Sequence, residues 1–169
     1  MSGTSIPSVI DNLITKIRGL SAITSDIPVF DGFPGPNIPD TFVAVGGGPE
    51  SIVGGLQTYG TFAPQKWEDY EVSVWIQSYV GGDSATSTKQ DASDAQRTAR
   101  KNVLTIFQSI EAAILADPTL ANGASAIVSN AEVGRFVLSE TSELDGAESG
   151  MGRRASLNFY VHVRFMEAP

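Results

Sequence analysis

A single histidine, His162, is the residue of this 169-residue chain best suited to proton transfer near neutral pH. It lies between Val161 and Val163 in an alternating run, so it is predicted to point away from the apolar face of its strand. No Gly-x-Ser-x-Gly motif supplies a serine nucleophile. The chain also has no cysteine for thiolate chemistry or a Cys-based zinc site. We therefore interpret His162 as a surface or interface residue and expect no enzyme activity and no cofactor.

Three consecutive glycines, Gly46–Gly48, could in principle cradle a phosphate with their backbone N–H groups. A P-loop requires Lys and then Ser or Thr after its last glycine, whereas Pro49 and Glu50 follow here. We therefore interpret the segment from Gly46 to Gln65 as a long glycine-rich loop or an extended hairpin. The segment is too apolar for a flexible linker, so we expect it to pack against another surface, such as that of a neighbouring subunit. Its candidate interface residues are Leu56, Tyr59 and Phe62.

Acidic residues outnumber basic ones by 19 to 11, which gives a formal net charge of −8. Proteins that grip nucleic acid neutralise phosphates with clustered Lys and Arg, so this balance argues against such a function. Carboxylates also serve as acid–base pairs or Ca²⁺ ligands, but no EF-hand spacing is present. No apolar run approaches the roughly 20 residues that span a bilayer, so no membrane partner is expected. The densest acidic segment, 139–150, is predicted to be a loop between the last two strands; it contains no basic residue and carries Glu140, Glu143, Asp145 and Glu148.

Hydrophobic periodicity predicts the elements that position these residues. Helical spacing predicts helices over about 7–18, with Ser5 as cap, and about 89–115. Alternation predicts strands over about 27–30, 41–45, 67–80, 126–138 and 155–166. A change of phase predicts a β-bulge near Gly134. We expect a single α+β domain over residues 1–169, with two layers: a mostly antiparallel sheet and two helices packed on one face.

Three aromatic residues are predicted on the polar face of this sheet, out of phase with the apolar positions of their strands. They are Trp75, Tyr79 and Tyr160. Aromatic side chains among polar residues are enriched at protein interfaces, so these three are candidate subunit-interface residues. The alternative, left open by the sequence, is that a loop of the same chain folds over this face.

Several segments along the chain carry a family resemblance. They are the opening helix Val9–Ile14, the strand and turn Val29–Gly32, the strand Glu71–Trp75 leading through Gly81–Asp83, the end of the long helix Ile110–Leu120, and the last strand near Arg164. In this order they resemble the tail terminator (tail completion) proteins of long-tailed bacteriophages, in particular small acidic proteins of siphophages. The resemblance spans most of the chain, and no catalytic motif anchors the family.

The resemblance implies a structural virion protein without enzymatic activity, made in the host cytoplasm and located at the head–tail junction. Such subunits form a homo-oligomer, a hexameric ring, that caps the tail tube protein and stops its polymerisation. The ring also provides the surface for the head completion or connector protein. DNA passes through without specific binding, and acidic residues lining a channel repel phosphates. The acidic segment is therefore a candidate for the lumen or a tube-facing rim.

Two other functions are left open by the sequence. Another head–tail connector or the tail tube protein itself is a structural alternative, although purified tube subunits tend to polymerise into long tubes. A small carboxylate-based hydrolase, or a sugar- or ligand-binding module, belongs to a different class. It would need convergent acidic side chains, whereas the acids here are scattered along the chain.

Overall fold

The computed structural model describes residues 5–36, 38–46, 52–59, 65–81, 89–121, 126–144 and 151–166, with backbone only for 52–59, 65–67, 89–92, 142–144 and 151. Within these ranges the elements, in chain order, are α1 (Ile6–Arg18), β1 (Val29–Asp31), β2 (Thr41–Val45), β3 (Ile52–Tyr59), β4 (Gln65–Val80), α2 (Lys89–Ala116), β5 (Asn130–Leu144) and β6 (Met151–Met166).

The described strands form one sheet in the order β1-β2-β4-β6-β5, and β3 also pairs with β4. The β1–β2 pairing is parallel, and the other described pairings are antiparallel. β2 and β3 occupy successive stretches of the same edge of β4, because β2 pairs with residues 74–78 and β3 with residues 65–72. The glycine-rich Gly46–Gln65 segment therefore contains the strand β3. This agrees with its interpretation as an extended hairpin and not with its interpretation as a loop.

Both helices pack on one face of the sheet, which confirms the predicted two-layer α+β fold. α1 lies against β1 and β2, and α2 lies against β4, β5 and β6. The two helical stripes and the inward faces of the strands share one core. Its members include Val9, Leu13 and Ile17 from α1, Val103, Ile106 and Ile110 from α2, and Val74, Ile76, Phe159 and Val161 from the sheet. The described residues share this one core, and the single domain over residues 1–169 stays a prediction.

The start of α1 is held by a strand and not by the cap that the sequence predicts. The Ser5 side chain makes no capping hydrogen bond. Instead, the Ser5 N–H donates to the buried Glu68 carboxylate across 2.8 Å, and the Ser5 hydroxyl contacts both that carboxylate and, at 2.8 Å, the Tyr70 hydroxyl. A carboxylate at a helix N-terminus interacts favourably with the helix dipole. Burial is the main reason that the pKa of Tyr70 is raised to about 12.

A register shift in β5 confirms the predicted bulge. Val133 pairs with Val161, but the next apolar pair joins Phe136 to Phe159, so one more residue is used on β5 than on β6. The irregularity brings Phe136 to the helix side of the sheet, where its ring lies 5.4 Å from that of Phe107. Without the extra residue, Phe136 would point to the opposite face.

Candidate functional site

The sheet face opposite the helices brings His162 between two carboxylates from neighbouring strands. His162 Nε2 contacts the Asp69 carboxylate of β4, and His162 Nδ1 lies 3.3 Å from Glu132 Oε1 of β5. The hydrogen bond to Asp69 is the largest cause of the raised pKa of His162, and the contact with Glu132 also raises it. Partial burial of the ring lowers the pKa but does not outweigh the two carboxylates. Both ring nitrogens can donate only in the imidazolium form. This geometry favours the charged form of His162, which then links β4, β6 and β5.

Two arginines extend this polar network across the same face. Arg164 Nε lies 3.8 Å from Asp69 Oδ2, and Arg135 Nη2 lies 3.6 Å from Glu71 Oε2. The Arg135 guanidinium also lies 4.5 Å from the centre of the Tyr160 ring, within cation–π distance. Among the described residues, no group of three or more His, Asp or Glu side chains is arranged to hold a metal ion. The described contacts of this network link side chains of β4, β5 and β6.

A loop of the same chain covers Trp75, which is the alternative that the sequence left open. Phe33, from the loop after β1, stacks on Trp75 with ring centres 5.4 Å apart, and Phe42 meets the Trp75 ring edge-on at 5.2 Å. Phe42 is fully buried, Trp75 is half-buried, and Phe33 remains 60% exposed. Phe33, which the sequence did not single out, is thus the exposed ring of this cluster. An interface role for Trp75 stays a prediction.

The other two aromatic candidates are also covered by their own chain. Tyr160 is buried, with only 8% of its surface exposed, and not open as the sequence predicts. Tyr79 is half-buried and lies directly over Gly152. An added Cβ at Gly152 would lie only 2.0 Å from the Tyr79 hydroxyl oxygen, so this close approach requires glycine. Both tyrosines help to fix the sheet, and a subunit contact through them stays a prediction.

The remaining candidate interface residues lie in or beside the β3–β4 hairpin. Leu56 and Tyr59 are on β3, opposite Glu68 and Gln65 of β4, and their side chains are outside the described part. Phe62 lies outside the described residues. Their proposed role at a subunit interface therefore stays a prediction.

The prediction that the acidic candidates share a loop is wrong for two of them, because β5 continues to Leu144 and includes Glu140 and Glu143. Glu140 receives two hydrogen bonds from Arg100 of α2, one of them 2.8 Å long, and this pairing lowers the pKa of Glu140. Glu143 lies on β5 where only the backbone is described, and Asp145 and Glu148 lie outside the described residues. Glu140 therefore links β5 to α2. The location of the acidic residues 139–150 in a ring lumen stays a prediction.

No protein-family model and no curated protein sequence matches this chain. In the part of the chain that the structure describes, no helix is long and apolar enough to cross a membrane. Function must therefore be inferred from the sequence pattern and from the surfaces that the fold builds.

Exposed apolar side chains on β5 form a surface that the sequence reasoning missed. Phe136 is 55% exposed, Val137 is 62% exposed and Leu138 is 36% exposed, so three consecutive apolar residues remain accessible. β5 is an end strand of the described sheet. A groove of about 480 Å³ lies nearby between α2 and the start of β5, with Leu115, Pro118 and Val133 among its lining residues. The only signal in the sequence was the continuation of apolar residues past the bulge.

Proposed function

We propose that this protein is a structural virion subunit that acts as a tail terminator. Its copies close into a ring, hexameric by resemblance, that caps the tail tube, stops tube polymerisation and provides the head-joining surface. The support comes from the order of the resembling segments and from the two-layer α+β fold, which agrees with the fold that the resemblance implies. The tail tube protein and a head completion or connector protein are the proposed partners.

The distribution of exposed apolar side chains is the observation that carries this proposal. Phe33 lies just beyond β1, and Phe136 and Val137 lie on β5, so the two groups belong to opposite ends of the sheet order. A ring requires two different surfaces on each copy, one of which binds the other surface of the next copy. Three successive exposed apolar residues on an end strand otherwise favour uncontrolled association, and such strands are ordinarily protected.

The charged face of the sheet supports a structural function over an enzymatic one. His162 makes its side-chain contacts with Asp69 and Glu132, which fix the ring between strands. General acid–base catalysis needs a titrating group within reach of a substrate proton and a pKa matched to the reaction. The two carboxylates instead raise the pKa of His162 and so favour its charged form as a link between strands.

The test is the effect of the purified full chain on tube assembly. A terminator present in small molar excess over tube ends should shorten or halt growth of the purified tube protein, and electron micrographs should show a ring at one tube end. Light scattering and native mass spectrometry would give the mass of the particle with and without tube protein. Long tubes formed by this chain alone would favour the tube-protein alternative. Unchanged tube growth with no ring would overturn the proposal.

A further inference from the structure

An arginine occupies the first position of the core-facing row of β6. Successive side chains of a strand point to opposite faces, so Arg153 shares a face with Ala155 and Leu157, which are fully buried on the helix side of the sheet. Arg153 itself is half-buried, and its Nη1 nitrogen is shielded from solvent. Within the described part of the chain, this nitrogen donates to no acceptor. Removing a cationic donor from water is costly unless an acceptor pairs with it.

A second donor without an acceptor is found on α2. Gln96 is half-buried, and its Nε2 nitrogen is shielded from solvent and makes no hydrogen bond to a described residue. Gln96 comes one helical turn before Arg100, so the two side chains lie on the same side of α2. Buried amide donors in folded proteins nearly always have a partner, so this nitrogen also indicates an acceptor outside the described residues.

Two contacts between α2 and β5 show how the helix runs along the sheet. The Arg100 guanidinium pairs with the Glu140 carboxylate. Further along the helix, the Phe107 ring packs against Phe136. Higher residue numbers on α2 therefore correspond to lower residue numbers on β5, and the N-terminal half of α2 lies over the end of β5 that leads to β6.

This direction brings Gln96 and Arg153 to the same level of the sheet. Gln96 lies four residues before Arg100, about 6 Å along the helix. Glu140 pairs with Ala155 of β6, and Arg153 lies two residues before Ala155, about 7 Å along the strand in the same direction. Because both side chains belong to surfaces that face each other, their free donors point to one junction between α2 and β6.

The described carboxylates around this junction have other partners. Glu140 lies two register positions from Arg153, but both of its oxygens accept hydrogen bonds from Arg100. Contacts with Arg100 are also what lowers the pKa of Glu140. On the exposed side of α2, Asp94 pairs with Arg97. The charge of Arg153 is therefore not compensated by an ion pair within the described residues.

We propose that Arg153 and Gln96 form a binding site for an oxyanion between α2 and the β5–β6 end of the sheet. A guanidinium group presents its N–H donors in a planar fork that matches the oxygens of a carboxylate or a phosphate group. The Gln96 amide adds a neutral donor for a further oxygen. A water molecule could accept from both groups but would leave the positive charge uncompensated. This inference goes beyond the proposed function and does not depend on it.

The test compares anions at constant ionic strength and pH. Sodium phosphate or sodium acetate should raise the Tm of the full chain above its value in sodium chloride, because a ligand of the folded state stabilises that state. At a concentration tenfold above the Kd, the rise should be about 3–5 °C. Calorimetric titration gives the Kd. A rise with only one of the two anions identifies the ligand as a phosphate or a carboxylate group, and no rise with either would overturn the inference.

Substitution of the arginine separates binding from the general effect of phosphate, which stabilises folded proteins by exclusion from their surface. Arg153→Met should raise the Kd at least tenfold and remove the rise in Tm above that general effect. In chloride its Tm should be no lower than that of the unmodified chain, because an uncompensated cation has been replaced by an apolar group. The matched control is Arg97→Met, at a largely exposed arginine of α2, and it should keep the full rise. An equal rise in Arg153→Met and the unmodified chain would show that these donors bind water only and would overturn the inference.

A second variant tests the amide. Gln96→Leu should raise the Kd severalfold and leave the Tm in chloride nearly unchanged. If the Gln96 amide instead accepted a hydrogen bond from Arg153, this variant would lose stability equally in chloride and in phosphate, and the site would be wrong. Neither measurement uses tube protein or requires a ring. Their failure would therefore leave the proposed function standing, and failure of tube capping would leave the anion site standing.

Discussion

The Lys16 ammonium donates a 2.7 Å hydrogen bond to the Asp117 carboxylate and so joins the last turn of α1 to the residue that follows α2. The side chains are only 12% and 27% exposed, so this ion pair is better shielded than a surface pair. Asp117 also accepts hydrogen bonds from the Thr119 hydroxyl and, at 3.3 Å, from the Ala121 N–H. One carboxylate therefore connects the two helices and shapes the turn after the second.

The first prediction concerns this carboxylate. Asp117→Ala should lower the free energy of unfolding by about 1–2 kcal/mol, because it leaves the Lys16 ammonium and two other donors without their acceptor. Lys16→Met should cost less, about 1 kcal/mol or below, since the turn keeps its hydrogen bonds. Urea unfolding measures both values. Lys101→Met, at an exposed position of α2, is the control and should have little effect. Equal losses for Lys16→Met and Lys101→Met would contradict a stabilising ion pair.

The second prediction concerns pH. The hydrogen bond that His162 donates to the Asp69 carboxylate raises the pKa of His162 above its ordinary value of 6.5, so the folded protein holds this proton more tightly than the unfolded chain. The resulting stability is fully present below the unfolded pKa and is lost as the pH rises through the folded pKa. Urea unfolding from about pH 6 to about pH 9 should therefore show a decline in stability that is smaller in His162→Gln. The same decline in both proteins would refute the charged link.

The third prediction concerns the aromatic cluster around Trp75. Phe33→Ala removes one stacked ring and should cost about 1 kcal/mol of unfolding free energy, since Phe33 is largely exposed. Trp75→Ala should cost more, about 3 kcal/mol, because it also removes the ring that packs edge-on against the buried Phe42. Thermal unfolding followed by circular dichroism gives the comparison. A larger loss for Phe33→Ala than for Trp75→Ala would show that the order is wrong.

The fourth prediction concerns the glycine under Tyr79. Gly152→Ala places a methyl group 2.0 Å from the Tyr79 hydroxyl oxygen, so the ring must move and stability should fall by about 1–3 kcal/mol. In a Tyr79→Ala background the same substitution should be nearly neutral. Gly134→Ala is a suitable control, because its nearest contact would be an ordinary 3.4 Å from the Tyr160 carbonyl oxygen. A double-mutant cycle that shows no coupling between Gly152 and Tyr79 would contradict the contact.

The sequence predicted the elements whose signal is local. β2 has the predicted bounds, α1 and α2 each differ from the predicted range by one residue, and the phase change near Gly134 identified the bulge. Glycines and a proline around β3 weakened its strand signal, so it was not distinguished from a loop. In the structure β3 is specified by its pairing with β4, which is an interaction between strands and not a local preference.

The parts that the sequence could not predict depend on residues distant along the chain. Ser5 has the residue type of a helix cap, but the Glu68 carboxylate that holds this end of α1 is 63 residues away. Trp75 has the alternation of an exposed aromatic residue, but the loop that carries Phe33 folds over it. The charged contacts of His162 likewise depend on which strands are neighbours in the sheet. Pattern alone gives the face on which a residue lies, and not what covers it.

The pairing of β4 has a mechanical consequence. From Trp67 to Val72 this strand has β3 on one side and β6 on the other, and from Val74 to Ser78 it has β2 and β6. A pull on the β3–β4 hairpin along the strand direction would load many backbone hydrogen bonds in shear at the same time. The hairpin should therefore resist separation from the sheet. A force applied to it would be transmitted along β4 to the part of the sheet beneath α2 before the hairpin detached from β6.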